Sequence, residues 1–444
     1  MRPLALILTT CLVCLVMCDQ AAGQSISRPA PPEPRPWSRV SFFTSSSQTD
    51  TVDGVTTRFT DVTTSLAYQQ PDVDRTRADY GLDVRYSAQA IGSRPDRSSI
   101  YEAFVGARVA NGAFRFRIGH LRLNDLGSLG SVAGSHIEIA GARRPDRGRF
   151  RVGGFGGFEP NILDVGYVPH VRKFGGYLAY DGRGAERHSV GYVLVRNASL
   201  TERSVLTTTN FSQIGSKVFV YQAAEYDVEP PAGQVDRGLA YFFATGRVLA
   251  HDRVELQSTY SRGRSIDARG LTQDILSGRP VLQQSIDGLL YESIGGRVTT
   301  EVVRRLRVYV GYSRDKNSRE SSTTDRWLLG GYASNVANTG LDVSASDSLM
   351  ARPDGSYHAR YVSVGRQLHR SIYVSGDYST SLSVIRFSRS DGITVETRPH
   401  TTRMSGTTSI YLTRSLSLLG TIERSEGDDF SELRMMSGLT YRIR

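Results

Sequence analysis

The chain has 444 residues, 39% of them hydrophobic, and its 54 basic and 44 acidic side chains give a formal net charge of +10. The basic residues are almost all arginine and are scattered singly, which argues against the basic stripe of a nucleic-acid-binding protein. Beyond the N-terminal segment, no stretch approaches the roughly 18 apolar residues that a membrane helix needs, so a helical membrane protein is excluded.

The first 23 residues have the layout of a secretory signal peptide. Arg2 precedes an apolar run over residues 4–17, and small residues lead up to Gly23, after which we predict cleavage. The alternative is a lipoprotein signal that ends at Cys18. Such signals normally carry a small residue at the position that Met17 occupies here.

The segment that follows, residues 24–36, is a Pro-rich tether with no capacity to pack. The pattern changes at Trp37 and then stays uniform, so we predict a single domain over residues 37–444. The cysteines all lie in the predicted signal peptide: Cys11, Cys14 and Cys18. A cleaved chain therefore has no disulfide, no thiol metal site and no thiol nucleophile.

Period-two alternation of apolar and polar residues dominates the domain, and helical periodicity is nearly absent. The stretch YGLDVRYSAQA places tyrosine, leucine, valine and alanine on one face, with Asp83 and Arg85 on the other. In AFRFRIG, two phenylalanines and an isoleucine alternate with Arg115 and Arg117. Each stretch predicts a β-strand with one apolar face.

Two kinds of connection separate these strands. Short turns are predicted at Asn111–Gly112, His251–Asp252, Thr413–Arg414, near Arg304 and near His369. Longer polar connections are predicted over residues 261–280, 313–326 and 385–400. Toward the C-terminus the two kinds alternate, which predicts an antiparallel up-and-down meander with short turns at one end and long loops at the other.

Over residues 37–444 this pattern resembles the bacterial outer-membrane β-barrels of the porin-like class. The resemblance implies an all-β transmembrane barrel with short periplasmic turns, long outer loops and tyrosine girdles at the membrane interfaces. The candidate runs predict roughly 16 to 20 strands, an even number if both ends are periplasmic. The count is least secure over residues 199–216 and 327–350. A secreted β-sandwich or propeller is the alternative fold, although no repeat supports a propeller.

The last strand departs from the family pattern. Barrels of this class usually end in an aromatic residue that the assembly machinery recognises, whereas this chain ends in Arg444 with Tyr441 three places earlier. The resemblance implies outer-membrane lipid, the barrel-assembly machinery, periplasmic chaperones and small polar solutes as partners. It implies no nucleic-acid partner, and it leaves the oligomeric state open.

Enzymatic motifs are not found. The sequence has no Walker loop, dinucleotide fingerprint, GxSxG elbow or HExxH motif, and its eight histidines are dispersed. We therefore predict no cofactor, no metal site and no catalytic residue. The GGFGG run at Gly153–Gly157 lies inside an alternating stretch, which indicates a bend or close packing in the wall.

The face opposite the apolar residues would line the lumen of a barrel. The predicted lumen-lining residues are Asp83, Arg85, Arg115, Arg117, Arg151, Arg253 and Glu255. Because arginine predominates, these side chains would favour anions in a pore. The alternative is that arginines and acids pair with each other and brace the inside of the barrel.

The sequence thus predicts an outer-membrane channel for the passive passage of small hydrophilic solutes. A second hypothesis is a structural or export-accessory barrel that is closed by its own loops, for which residues 261–285 and 313–357 are candidates. A third hypothesis, an outer-membrane enzyme, would need an acid, a base and a nucleophile that converge near one rim.

Overall fold

The computed structural model describes residues 37–69, 78–142, 148–161, 165–182, 186–229, 238–281, 288–318, 322–352, 354–388 and 394–443. The predicted signal peptide and tether lie outside these described residues and stay predictions. Within these ranges, no helix is both long and apolar enough to cross a membrane.

The described residues form 23 β-strands and very little helix. The strands are β1 (Trp37–Thr51), β2 (Thr56–Gln69), β3 (Ala78–Ile91), β4 (Arg97–Val109), β5 (Phe114–Arg122), β6 (Ser131–Ala140), β7 (Arg149–Pro160), β8 (Tyr167–Asp181), β9 (Arg187–Asn197), β10 (Leu200–Ile214), β11 (Val218–Glu229), β12 (Gly238–His251), β13 (Val254–Ser265), β14 (Leu289–Val303), β15 (Leu306–Asn317), β16 (Thr324–Val336), β17 (Leu341–Arg352), β18 (Gly355–His369), β19 (Ile372–Ser388), β20 (Thr394–Thr397), β21 (His400–Tyr411), β22 (Leu416–Gly427) and β23 (Phe430–Ile443). The helical elements are the 3-10 turns η1 (Ala110–Gly112) and η2 (Asn124–Leu129) and the helix α1 (Ala268–Leu276).

The sheet closes on itself. Each strand from β1 to β19 pairs antiparallel with the next, β19 also pairs with β21, and β21, β22 and β23 pair in order. The sheet closes where β1 pairs with β23, from Ser38 opposite Ile443 to Thr51 opposite Phe430. The short β20 extends the hairpin at the tip of β19, while β21 pairs along the rest of β19, so the barrel wall has 22 strand positions. Closure removes the free edges that an open sheet of this size would expose. The predicted all-β, up-and-down barrel is confirmed.

The wall has more strands than the predicted 16 to 20. The regions where the count was least secure prove to be strands, namely β10 and the pair β16 and β17. Of these strands, β10 and β17 are rich in Ser and Thr, as in TERSVLTTTN and DVSASDS. Because hydroxyl side chains fit a pleated sheet but add little hydrophobic contrast, period-two alternation is weak there.

The first and last described residues, Trp37 and Ile443, lie at one end of the barrel, here called the terminal end, and the opposite end is called the far end. The five predicted short turns, near residues 111, 252, 304, 370 and 413, all lie at the terminal end. The connection over residues 266–288, which contains α1, lies at the far end. The polar connections predicted over residues 313–326 and 385–400 are shorter than expected, because β15, β16, β19 and β20 take up the ends of both ranges. Residues 319–321 and 389–393 lie outside the described residues.

The outside of the barrel is apolar. The last strand presents Leu433, Met435, Leu439, Tyr441 and Ile443 outward, each between 40% and 53% exposed. From Leu433 to Tyr441 this face covers about 27 Å along the strand. A strand tilt of about 40° reduces that length to about 21 Å of height, close to the roughly 25 Å apolar band of membrane barrels. Paired residues share a face, so the register extends this assignment around the whole wall.

The tightly packed part of the molecule lies inside the wall, on the inner faces of β5 to β9. Its fully buried members include Leu121, Val132, Val171, Val193 and Leu126 of η2. The inner faces of β15 to β23 carry more exposed side chains. The interior therefore has one packed side and one solvent-accessible side.

Candidate functional site

The segment η2 leaves the far end of β5 and folds into the barrel, where it packs against β8, β9 and β10. Leu126 is fully buried there and lies over Gly191 of β9, where any Cβ would overlap the Leu126 side chain. The Ser189 hydroxyl donates to the Asp125 carbonyl oxygen at 2.9 Å. A glycine in the wall therefore lets this connection lie flat on the inner surface.

Arg151 on β7 joins η2 to the wall. Its guanidinium lies 2.9 Å from a carboxylate oxygen of Asp125, 2.7 Å from Glu138 on β6 and 2.8 Å from Asp181 on β8. The Arg151 side chain is only 6% exposed. Each of these carboxylates accepts charge-assisted hydrogen bonds, which compensate the desolvation of the buried charges.

Asp79 on β3 is the second centre of charge. Its carboxylate lies 2.8 Å from the guanidinium of Arg108, 3.1 Å from Arg115 and 3.2 Å from Arg117. Arg115 also lies 3.3 Å from Glu138, which links Asp79 to the contacts of Arg151. We call the ion pairs centred on Asp79 and Arg151 the charge cluster.

Aromatic and glycine residues complete the charge cluster. The Tyr177 hydroxyl donates to Glu138 at 2.5 Å and lies 3.0 Å from Nε2 of His136, which is fully buried. A Cβ at Gly153 would overlap the Tyr177 ring. The GGFGG run is thus a place of close packing in the wall, as predicted.

The helix α1 also folds inward from the far end. Asp267 caps its N-terminus by accepting from the Gly270 N–H at 2.9 Å, and Leu271 is buried. Arg269 lies 2.7 Å from Glu202 on β10, where a register irregularity turns Glu202 to the inside. Part of the connection predicted as an inward-folding loop, residues 261–285, therefore does lie within the barrel.

The opposite side of the interior is lined mainly by hydroxyl groups. Inward Ser344 on β17 pairs with Ser363 on β18, and inward Ser375 on β19 pairs with Thr407 on β21. The Thr407 hydroxyl lies 3.3 Å from that of Thr421. Hydroxyls that both donate and accept leave this surface well hydrated.

Half-exposed arginines stand on this hydroxyl-rich side and beside it. Their side chains are between 45% and 55% exposed, whereas the carboxylates that they contact are between 10% and 34% exposed: Arg247 with Glu255, Arg307 with Glu301, Arg326 with Asp315, and Arg403 and Arg434 with Glu423. The longer guanidinium side chains reach the lumen, while the shorter carboxylates stay near the wall. We call these five residues the exposed arginines.

The structure distributes the residues predicted to line a lumen among three environments. Arg115, Arg117 and Arg151 point inward and belong to the charge cluster. Asp83 and Arg85 lie on the inner face of β3, with Arg85 5.2 Å from the Tyr101 ring, and Glu255 faces inward 3.9 Å from Arg247. Arg253 lies in the turn between β12 and β13 and is exposed at the terminal-end rim.

Sequence reasoning missed the exposed arginines, although the signal was present. Arg307, for example, precedes Val308 and Val310 in an alternating run, and Arg403 precedes the outward Met404. What the sequence could not show is which inward arginines a buried carboxylate would neutralise. That depends on where η2 folds. Among the described residues, no group of three or more His, Asp or Glu side chains has the geometry of a metal site.

Three solved structures illustrate what the chain is similar to. Pseudomonas aeruginosa OpdQ is 9% identical with a TM-score of 0.46 over 92% of this chain and 99% of that chain. Acinetobacter baumannii OccAB4 is 10% identical with a TM-score of 0.43, over 92% and 99%. Pseudomonas aeruginosa OccK8 (OprE) is 10% identical with a TM-score of 0.43, over 92% and 98%.

No protein-family model and no curated protein sequence matches the chain. The three solved structures have TM-scores below 0.5, so they add nothing to what the geometry of this barrel supports.

Proposed function

We propose that this chain forms a channel in a bacterial outer membrane for the passive passage of small hydrophilic solutes, with a preference for anions. The observation that carries the proposal is the pairing of a closed wall, apolar on the outside, with a solvent-accessible, hydroxyl-lined surface on the inside.

The outer surface supports the membrane location. In hydrocarbon every backbone N–H and C=O must be satisfied within the protein, and a closed barrel achieves this without an edge. The apolar face of the last strand is about 21 Å high, close to the roughly 25 Å apolar band of membrane barrels. The rings of Trp327 and Tyr312 are tilted against each other, with centroids 4.6 Å apart, on the outer surface. Aromatic residues of this kind suit the interface between lipid and water.

The interior supports passage. The segments η2 and α1 pack against one side of the wall, on β8 to β10, and the hydroxyl-lined side lies across the lumen from them. A hydrophilic solute can exchange its water for Ser and Thr hydroxyls along that side. We infer that η2 narrows the channel and that the charge cluster holds it in place.

The exposed arginines support the anion preference. Arg115, Arg117 and Arg151 contact buried carboxylates and are at most 13% exposed, so they are not the residues that meet a solute. Arg403 and Arg434 are half-exposed and share Glu423, which is 10% exposed. Guanidinium groups that project beyond their carboxylates lower the electrostatic cost of an entering anion.

The test is the conductance of the refolded protein, without residues 1–23, in a planar bilayer under a salt gradient. We expect stable ohmic current steps and a reversal potential whose sign shows that anions pass more readily than cations. The variant Arg403→Gln with Arg434→Gln should move the reversal potential toward cations. The matched variant Arg424→Gln, which removes an outward arginine paired with Glu426, should not.

A specific observation favours a second candidate, a non-conducting barrel. Both η2 and α1 lie inside the wall, as a plug would. A protein that inserts into the bilayer but never conducts would support this candidate and contradict the channel.

A further inference from the structure

Five aromatic side chains line the inner face of neighbouring strands at successive levels. They are Phe219 and Tyr221 on β11, Tyr241 and Phe243 on β12, and Tyr291 on β14. The strand register shows that these side chains face inward. Phe219 pairs with the inward Arg247, and Tyr241 pairs with the inward Glu225. Tyr241 also pairs with Gly263, and Gly263 pairs with Tyr291. We call these five residues the aromatic track.

Two rings of the aromatic track contact each other, and a guanidinium lies over a third ring. The Tyr221 and Phe243 ring centroids are 5.9 Å apart, and the Arg247 guanidinium lies 4.3 Å from the centroid of Phe219. Tyr291 lies across Gly263, where a Cβ would come within 2.5 Å of the Tyr291 hydroxyl oxygen. From the level of Glu225 to that of Phe219 the track runs six residues, about 20 Å.

A cavity of about 660 Å³ opens beside the far-end half of the aromatic track, between the wall, η2 and the start of α1. Its size is that of a typical small-molecule site. Arg203 lines it and contacts Glu225 at 3.3 Å and Asp227 at 2.9 Å, and the Ser128 hydroxyl donates to Glu225 at 2.5 Å. Donors and acceptors therefore stand side by side next to aromatic rings.

We propose that this cavity and the aromatic track bind neutral carbohydrates, specifically short linear oligosaccharides, on their way through the channel. The inference rests on the proposed channel function and names one class of solute for it. A sugar ring presents apolar C–H groups on its faces, which pack on the negative faces of aromatic rings, and hydroxyls on its edges, which both donate and accept hydrogen bonds.

The pairing of charges in the cavity favours a neutral ligand. A small anion would have to compete with Glu225 and Asp227 for Arg203, and a cation would have to displace Arg203 from both carboxylates. A sugar hydroxyl can donate to a carboxylate and accept from the guanidinium without separating them. Because the track is longer than one sugar ring, several linked rings would gain more contact than a monosaccharide.

The experiment measures block of the ionic current by maltohexaose. The refolded protein in a planar bilayer receives increasing maltohexaose in symmetric salt, and we expect concentration-dependent block that glucose produces only weakly. Replacement of Tyr241 or Tyr291 by Ala should raise the half-blocking concentration about fivefold, as expected for the loss of one aromatic contact. The current through the Tyr241→Phe variant, which keeps the ring, should be blocked by maltohexaose nearly as strongly as the current through the unmodified protein.

The matched control is Tyr361→Ala, which removes an inward tyrosine on β18 whose hydroxyl contacts Asp377 at 2.7 Å, on the other side of the lumen. Conductance that maltohexaose leaves unchanged, or equal effects of Tyr241→Ala and Tyr361→Ala, would overturn the sugar assignment and leave the channel intact. A protein that does not conduct would contradict the channel proposal but would leave the sugar site undecided. Calorimetric titration of the barrel in detergent with maltohexaose then decides the sugar site, and absence of saturable heat rejects it.

Discussion

Replacement of Arg151 by methionine tests whether the charge cluster holds η2 against the wall. The Arg151 side chain is 6% exposed and contacts three carboxylates between 2.7 Å and 2.9 Å away. Breaking a buried ion pair by removing one partner typically costs about 3–5 kcal/mol, because the remaining charge stays buried and uncompensated. Methionine replaces the aliphatic part of the arginine side chain and lacks the guanidinium.

The neighbouring arginines decide where in that range the loss of stability of Arg151→Met falls. Arg187 still lies 2.8 Å from Asp125, Arg115 lies 3.3 Å from Glu138 and Arg149 lies 3.2 Å from Asp181. Since each carboxylate keeps one partner, we expect the lower end, a loss of about 3 kcal/mol in the free energy of unfolding. Arg151→Lys keeps the charge but cannot reach three carboxylates with one planar group, so it should lose less.

The assay is urea unfolding of the refolded barrel in lipid vesicles, followed by tryptophan fluorescence. The matched control is Arg307→Met, which removes a half-exposed arginine that lies 3.3 Å from Glu301. Exposed pairs contribute about 0–1 kcal/mol, so this variant should unfold almost as the unmodified protein does. If the two methionine variants differ by less than about 1 kcal/mol, the charge cluster does not stabilise the fold as described.

Three further outcomes are expected. Gly153→Ala should lower the refolding yield because the new Cβ overlaps the Tyr177 ring, whereas Gly154→Ala, whose Cβ meets nothing closer than 3.8 Å, should refold normally in the same gel-shift assay. Leu126→Ala should lower the free energy of unfolding by about 2–5 kcal/mol, because Leu126 is fully buried, whereas Leu412→Ala in an exposed turn should change it by less than about 0.5 kcal/mol. The reversal potential at a fixed salt ratio should shrink as ionic strength rises from 0.01 M to 1 M, because the Debye length falls from about 30 Å to about 3 Å; a potential that does not change would contradict selection by exposed arginines.

The sequence by itself determined which face of each strand points outward and which points into the barrel. Because side chains alternate across a strand with a period of two, the Phe and Ile residues around Arg115 and Arg117 are enough to orient both arginines inward. Charged and polar residues at short turns located the reversals near residues 252, 304, 370 and 413. The barrel class followed from these local patterns alone.

Only the tertiary structure decided how many strands close the wall and which inward arginines stay exposed to solvent. Strands such as β10 and β17 carry little hydrophobic contrast, so their place in the sheet depends on hydrogen bonding to neighbours on both sides. Arg151 and Arg403 both point inward, yet of these two arginines only Arg151 is contacted by Asp125 of η2. The fold of η2 requires the gap above Gly191, a residue 65 positions away from Leu126 in the chain, and contacts at such separations have no local pattern in the sequence.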